Sequence, residues 1–140
     1  MALSKLGTYY EHGREQARLS GTATEEMVIG KAGAVVGNNR KFKKYAAAED
    51  VFYGFVTYQY YDVAKGKEGT VPQGDTAYLA QEGKIYVQAT EAVNIGDPVY
   101  LAPSGTVNKT SGKKLDAVFN ETIAAAGPVK IILHSITVEA

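Results

Sequence analysis

Asp50-Val-Phe-Tyr-Gly-Phe-Val-Thr-Tyr-Gln-Tyr-Tyr61 is the stretch whose reading decides the fold. β-Branched and aromatic residues fill it, which is the composition of a pleated, half-buried strand. Gly54 interrupts the run and predicts a bulge or a close backbone approach. Alternation places rings on both faces of the strand, which leaves one face available as an interface.

Working outward, further strands are predicted at Met27-Val-Ile29, Ala34-Val-Val36, Thr76–Ala80, Lys84–Thr90, Pro98–Leu101, Leu115–Phe119 and Val129–Val138. Turn signals punctuate them at Pro72-Gln-Gly-Asp75, Glu82-Gly83, Ile95-Gly-Asp-Pro98 and Ser104-Gly105. Ala46-Ala-Ala48 and Ala124-Ala-Ala126 each suit a single helical turn. Short strands with regular punctuation predict an all-β fold. The expected architecture is a single compact β-barrel or sandwich of short antiparallel strands over residues 27–140.

Residues 1–26 read as an extended N-terminal arm. Gly7, Gly13 and Gly21 interrupt it, and no apolar period is sustained. A short helix around Glu11–Leu19 would be marginal alone. Yet Leu3, Leu6, Tyr9, Tyr10 and Leu19 are apolar anchors that a solvated tail does not need. An arm this poor in core residues does not offset its ordering entropy of about 1–2 kcal/mol per residue without a partner. Residues 1–20 are therefore expected to lie over a neighbouring subunit and not to fold back onto their own barrel. Arg14 and Arg18, four apart, would share one face of a helix.

Composition narrows the function classes. The 140 residues are 45% apolar, and 15 basic side chains balance 15 acidic ones. A neutral chain lacks the cationic excess on which nucleic-acid affinity depends, so no direct nucleic-acid partner is expected. With no cysteine there is no disulfide or thiolate metal site. The start, Met1-Ala-Leu-Ser-Lys-Leu-Gly7, has no apolar core of a signal peptide, and no apolar run reaches the roughly 18 residues of a membrane span. Asn108-Lys-Thr110 and Asn120-Glu-Thr122 match the glycosylation sequon but read as turns.

Catalytic readings fail on chemistry. His12 and His134 are the two histidines, and neither has a partner that its local sequence supplies for general-base work. Gly30-Lys-Ala-Gly-Ala-Val-Val-Gly37 lacks the spacing and the Lys-Ser or Lys-Thr of a phosphate loop. Glu25-Glu26 and Glu49-Asp50 are adjacent pairs, whose side chains diverge on a strand. No enzyme, cofactor or metal is expected. Arg40-Lys-Phe-Lys-Lys44 is the one charge cluster, either a solvated loop or a contact with nucleic acid or an acidic surface. Ten tyrosines without a tryptophan favour surfaces that are half buried and half wet.

Four blocks occur in a telling order: Val51-Phe-Tyr-Gly-Phe-Val56, Gly83-Lys-Ile-Tyr-Val87, Ala92-Val-Asn-Ile-Gly-Asp-Pro-Val-Tyr100 and Ala124-Ala-Ala-Gly-Pro-Val-Lys-Ile131. Over residues 28–133 this order resembles the structural cement, or head decoration, proteins of tailed bacteriophages. Gly127-Pro128 replaces the family's usual Gly-Gly, which removes a backbone donor and implies a strand start or edge.

The resemblance implies a non-catalytic protein on the outer capsid surface, made in the host cytoplasm, that clamps neighbouring major capsid subunits. It also implies self-assembly, with a trimer favoured over a dimer, and no membrane partner. The contacts expected from composition and position are Leu3, Leu6, Tyr9, Tyr10, Arg14 and Arg18 on the arm. Arg40, Lys41, Lys43 and Lys44 join them from the basic cluster, with Tyr58 and Tyr60 from the long strand. The alternative is a β-barrel module of a virion tail or fibre that binds a ligand or glycan.

Overall fold

The computed structural model describes residues 6–7, 18–37, 40–47, 49–57 and 69–138. Their regular structure is all β, as the strand composition predicts. In chain order the first elements are β1 (Arg18–Ala23), β2 (Met27–Val28), β3 (Ala32–Val35), β4 (Lys41–Lys44), β5 (Phe52–Val56), β6 (Thr70–Val71) and β7 (Thr76–Ala80). The remainder are β8 (Gly83–Ala89), β9 (Pro98–Leu101), β10 (Val107–Asn108), β11 (Lys113–Phe119) and β12 (Gly127–Val138).

These strands close two small barrels where the sequence suggests one. Barrel I runs β1-β4-β3-β5-β7 and barrel II runs β10-β8-β12-β11-β9, while β2 and β6 form a separate pair. Most neighbours are antiparallel, but β1–β4 and β8–β10 are parallel. The chain passes from β7 to β8 through Gln81 and Glu82 alone. The turn signal at Glu82-Gly83 is therefore real, yet the strands on either side of it belong to different barrels.

Small residues explain how the barrels meet. Met27, Phe42, Val56, Ala77 and Leu79 fill the inside of barrel I. Ala32, Ala34, Phe52, Phe55 and Ala80 are buried with Ile85, Val87, Leu101, Phe119, Val129 and Ile131 of barrel II. Alternation along β3, and along β5 once the irregularity at Gly54 resets it between Phe52 and Phe55, assigns this second set to the outer face of barrel I. That face is thus covered, and both sides of β5 are core. Phe52 and Phe55 meet edge to face at 5.2 Å, and Tyr53 packs on Phe42 at 5.8 Å from the opposite side. The rings on both faces of this segment mark two cores and not an exposed interface.

Gly54 does what its position predicts. The β3–β5 register shifts beside it, and its φ is +139°. A Cβ there would lie 2.5 Å from the carbonyl oxygen of Ala80. Pro128 is likewise at a strand start, paired with Gln88, whose N–H turns away from β12 to Gly30 of barrel I at 3.1 Å. The missing proline donor leaves that ladder intact.

Three expectations need correcting. Residues 18–23 are a barrel strand, with Arg18 opposite Ala80 and Thr22 opposite Thr76, so an arm boundary at residue 26 lies too far along the chain. Alternation in Leu19-Ser-Gly-Thr is hidden because Gly21 carries no side chain. It is small because a Cβ would meet the Phe42 ring at 2.6 Å. Neither alanine run forms a helical turn among the described residues; both are irregular, because the strands they connect take their backbone elsewhere.

Candidate functional site

The one charge cluster of the sequence is not a loop. Lys41–Lys44 is β4, inserted between β1 and β3. Lys-Phe-Lys has the period of two that a half-buried strand requires. Phe42 is fully buried inside barrel I, and its carbonyl accepts bonds from the backbone N–H of Thr24 at 2.8 Å and the Thr24 hydroxyl at 3.0 Å. The buried ring fixes the strand, and the strand holds the flanking cations in set positions.

Lys43 is committed within the molecule. Its Nζ lies 2.8 Å from Oδ1 of Asp50, whose side chain is 9% exposed. Oδ2 of Asp50 accepts the backbone N–H groups of Ala46 at 2.9 Å and Ala47 at 3.0 Å. The hydrogen bond from Lys43, followed by the Ala46 bond, holds the Asp50 carboxyl below its ordinary value. The same bond raises Lys43. Asp50 therefore clasps residues 43–50 into one loop. Beneath it Tyr45 is buried, which pushes its phenol up, with the charges of Asp50 and Glu49 adding to the shift. Lys113 of barrel II sits 5.9 Å from the Tyr45 ring centroid.

Arg40, Lys41 and Lys44 remain exposed. Of the four cations in the cluster, Lys43 is the one in an ion pair with a described residue. Val36 and Val51 flank them at 37% and 59% exposure, held together by Val36 N–H to Lys41 carbonyl and Val35 N–H to Val51 carbonyl bonds of 2.8 and 3.3 Å. Arg40 and Lys41 thus form a basic strip edged with valine, while Lys44, opposite Gly33 at the other end of β4, lies on the Phe42 side of the strand.

The remaining predicted contacts divide in two. Leu3, Tyr9, Tyr10, Arg14, Tyr58 and Tyr60 lie outside the described residues, and so does the Arg18 side chain. Leu6 is half-buried on its own molecule: its side chain occupies the space above Gly30, and Gly7 N–H bonds the Tyr86 carbonyl at 2.9 Å. That bond caps part of the β8 edge, because β10 pairs with β8 only at Ala89. Leu6 and Gly7 thus lie on their own barrel, where β8 offers backbone acceptors, whereas residues 1–5 and 8–17 of the expected arm lie outside the described residues.

Barrel II contributes a locked turn at Asn94-Ile-Gly-Asp97. Asp97 Oδ2 accepts the Asn94 N–H at 2.8 Å, Gly96 N–H reaches the Phe119 carbonyl at 2.8 Å, and Phe119 N–H returns to the Asp97 carbonyl at 3.0 Å. Gly96 has φ +93°, as the third residue of such a turn demands. Ile95 is left 62% exposed at the tip. Both sequons are consumed by architecture: Asn108 is buried and caps Thr110 and Ser111, each at 2.8 Å, and Thr122 accepts the Ile95 N–H at 3.0 Å. His134 is exposed. Among the described residues, no group of three or more His, Cys, Asp or Glu side chains is placed to hold a metal ion.

Comparison with known proteins assigns this double barrel to a family. The chain matches the family described as Structural cement protein (E217 gp24/Pam3 gp6) over residues 7–134. It belongs to that family. A search of curated proteins gave no match. Among solved structures, the N base of head fiber gp8.5 of bacteriophage phi29 is similar in fold. It superposes with a TM-score of 0.58 at 15% identity, covering 90% of this cement protein and 99% of the phage chain. The cement protein is therefore a bacteriophage capsid structural protein, and its family implies binding to capsid proteins within the virion.

Sequence reasoning missed the Asp50 clasp, since Lys43 and Asp50 are seven positions apart and only the turn between β4 and β5 joins them. The β4 strand itself was signalled by Lys-Phe-Lys alternation, but four cations in five residues read more readily as solvated loop.

Proposed function

We propose that this cement protein docks on the outer surface of the major capsid protein lattice and clamps neighbouring subunits, so that the head resists rupture. The exposed strip of Arg40 and Lys41 with Val36 and Val51 carries this reading, with Lys44 exposed at the far end of the same strand. It pairs charges that select an acidic surface with apolar area that gains from burial. A strip on one small barrel supplies a weak contact. Clamping follows if two or more such contacts engage different subunits, because every contact after the first is intramolecular.

Two further elements complete the proposal. Tyr9, Tyr10 and Arg14, with Leu3, would add a second contact from the segment that precedes β1, beyond the point where Leu6 and Gly7 are tied to the barrel. Self-association, with a trimer favoured, would multiply the contacts on each particle. Synthesis in the host cytoplasm before docking fits a chain that attaches to the finished shell.

Heads prepared without the protein provide the test. Added back, the wild-type chain should bind them and raise the temperature at which they release DNA. Lys41→Glu with Val51→Asp should keep the melting temperature of the isolated chain within roughly the 0.5 kcal/mol scatter of surface substitutions. Binding to heads should fall. Retention of full binding by that variant would remove the strip from the contact, and failure of the wild type to bind would end the clamp reading.

A further inference from the structure

The seam between the barrels holds an open cleft of about 320 Å³. Barrel I supplies Lys31, Ala32, Lys44 and Tyr45, and the β9–β10 turn of barrel II supplies Pro103 and Ser104. Its volume is at the small end of binding pockets.

The walls are built before any ligand arrives. Ala32 N–H bonds the Gly105 carbonyl at 2.9 Å, tying the barrel II turn to β3. Tyr45 N–H bonds the Ala32 carbonyl at 3.1 Å, and the Asp50 clasp fixes the chain just beyond. Lys31 is anchored at its carbonyl by Val56 N–H at 2.9 Å, and Lys44 lies opposite Gly33 in the β3–β4 ladder. Both ammonium groups therefore hang from fixed backbone, which lowers the entropy lost on engaging a ligand.

Alternation explains why Lys44 points to the cleft. It shares a face with Phe42, but Phe42 is inside the barrel and Lys44 has reached its mouth. Lys43 takes the opposite face and is neutralised by Asp50. Lys31 is half-buried, Lys44 is exposed, and neither is in an ion pair among the described residues. Two cations thus border a site whose other walls are the apolar Val28, Ala32, Ala46 and Pro103 together with Tyr45 and Ser104.

We infer that this cleft receives an acidic side chain, Asp or Glu with an adjoining small apolar residue, from the capsid-protein segment that docks along β4. The inference rests on the clamp reading for the identity of the partner. Charge complementarity selects the carboxylate, since ammonium–carboxylate bonds are about twice as strong as neutral ones. The apolar wall selects a peptide over inorganic phosphate, which has nothing to place against Ala32 and Pro103. A neutral chain with two cations here is also poorly equipped for a nucleic-acid strand.

The test has two arms that fail separately. In the first, the full-length chain is titrated with acetyl-Leu-Glu-Asp-Leu-amide and with its Gln-Asn counterpart while amide shifts are followed by NMR. The acidic peptide should move Ala32, Tyr45, Ala46 and Ser104, and the neutral peptide should not. Lys31→Gln with Lys44→Gln should weaken that response about tenfold or more. Lys109→Gln, on the far turn of barrel II, should leave it unchanged. Equal response to both peptides, or an unchanged response in the double variant, overturns the inference.

In the second arm the same variants are added to heads lacking the protein. If wild type and the double variant bind equally, the cleft is not a contact, although the clamp stands. If the wild type fails to bind while the peptide response persists, the clamp reading falls and the acidic site stands. A double variant with unchanged melting temperature but weakened head binding supports both.

Discussion

Barrel II and barrel I solve the same closure problem with opposite materials. In barrel II, Ile85, Val87 and Ala89 on β8 and Val129, Ile131 and Leu133 on β12 are buried, while the residues between them are half-exposed. In barrel I, β3 carries Ala32, Gly33 and Ala34, all buried, and β5 buries every residue except Tyr53. The difference follows from who covers whom. Barrel II faces solvent on its outside, so a period of two is preserved. The outside of barrel I at β3 and β5 is pressed against barrel II, so those strands are buried on both faces and read as continuous apolar runs. Barrel I thus gives one face to its neighbour, while Lys41 and Lys44 of β4, on another side, stay exposed.

The comparison breaks if the two barrels melt separately. Phe55 belongs to barrel I and Phe119 to barrel II, yet both are buried in one continuous cluster. Phe55→Ala and Phe119→Ala should each cost about 3–5 kcal/mol, the usual range for a buried aromatic. Calorimetry should show one transition, lowered in both variants, because neither barrel keeps its core without the other. Two transitions, with one unaffected, would mean that the shared cluster does not couple the barrels.

A pair of glycines sharpens the comparison at the next level. Gly54 and Gly96 both have positive φ, +139° and +93°. A Cβ on Gly54 would meet the Ala80 carbonyl oxygen at 2.5 Å, whereas nothing lies within 4 Å of one on Gly96. Gly96→Ala in barrel II should cost only the left-handed strain, about 1–2 kcal/mol. Gly54→Ala should cost that and a steric term besides, because β5 and β7 must separate to admit the methyl group. Chemical denaturation of the two variants measures the gap directly. Equal losses would show that the β5–β7 approach is soft.

The contrast also explains what was legible in the sequence. Thr76–Ala80 and Pro98–Leu101 match the observed strands residue for residue, and Lys84–Thr90 and Val129–Val138 differ at their ends. Each carries β-branched or aromatic residues at alternate positions and is bounded by Gly, Pro or Asp. β1 and β4 were missed for physical reasons. β1 needs Gly21 where Phe42 crosses it, so its pattern is broken by the packing that makes it a strand. β4 presents three lysines around one buried Phe42, with Lys41 and Lys44 exposed and Lys43 paired to Asp50. Closure into two barrels was hidden because a tight turn says where the chain reverses and not which strands then pair. Of the expected contacts, Arg40 and Lys41 fall together on one exposed strip, and Lys44 is exposed at the other end of β4 beside the cleft. Lys43 belongs to an internal clasp, and Leu6 to a local capping contact.

The smallest expected effect belongs to that clasp and tests whether the docking face is held rigid. Asp50 is depressed below its ordinary value of 3.8 by the Lys43 bond, so its contribution to stability is present above that value and fades as pH falls through the depressed one. Lys43 is raised above 10.5, so its share is present below 10.5 and fades as pH rises through the raised value. Asp50→Asn should therefore open a constant stability gap between about pH 4 and pH 10, which closes as Asp50 is protonated and narrows without closing as Lys43 loses its proton, because the carboxylate still holds the Ala46 and Ala47 N–H groups. The gap should be smaller than that of either glycine variant, since a pair this near the surface gains little net energy. It should also shrink at 1 M salt, where the Debye length is about 3 Å, while the Gly54→Ala loss does not. Amide exchange gives the sharper readout. Asp50→Asn should accelerate exchange at Ala46 and Ala47, whose N–H groups the carboxylate holds, without touching Phe119 in barrel II. Faster exchange spread over both barrels would mean that the clasp props up the whole fold, and that the docking face is no more local than the core behind it.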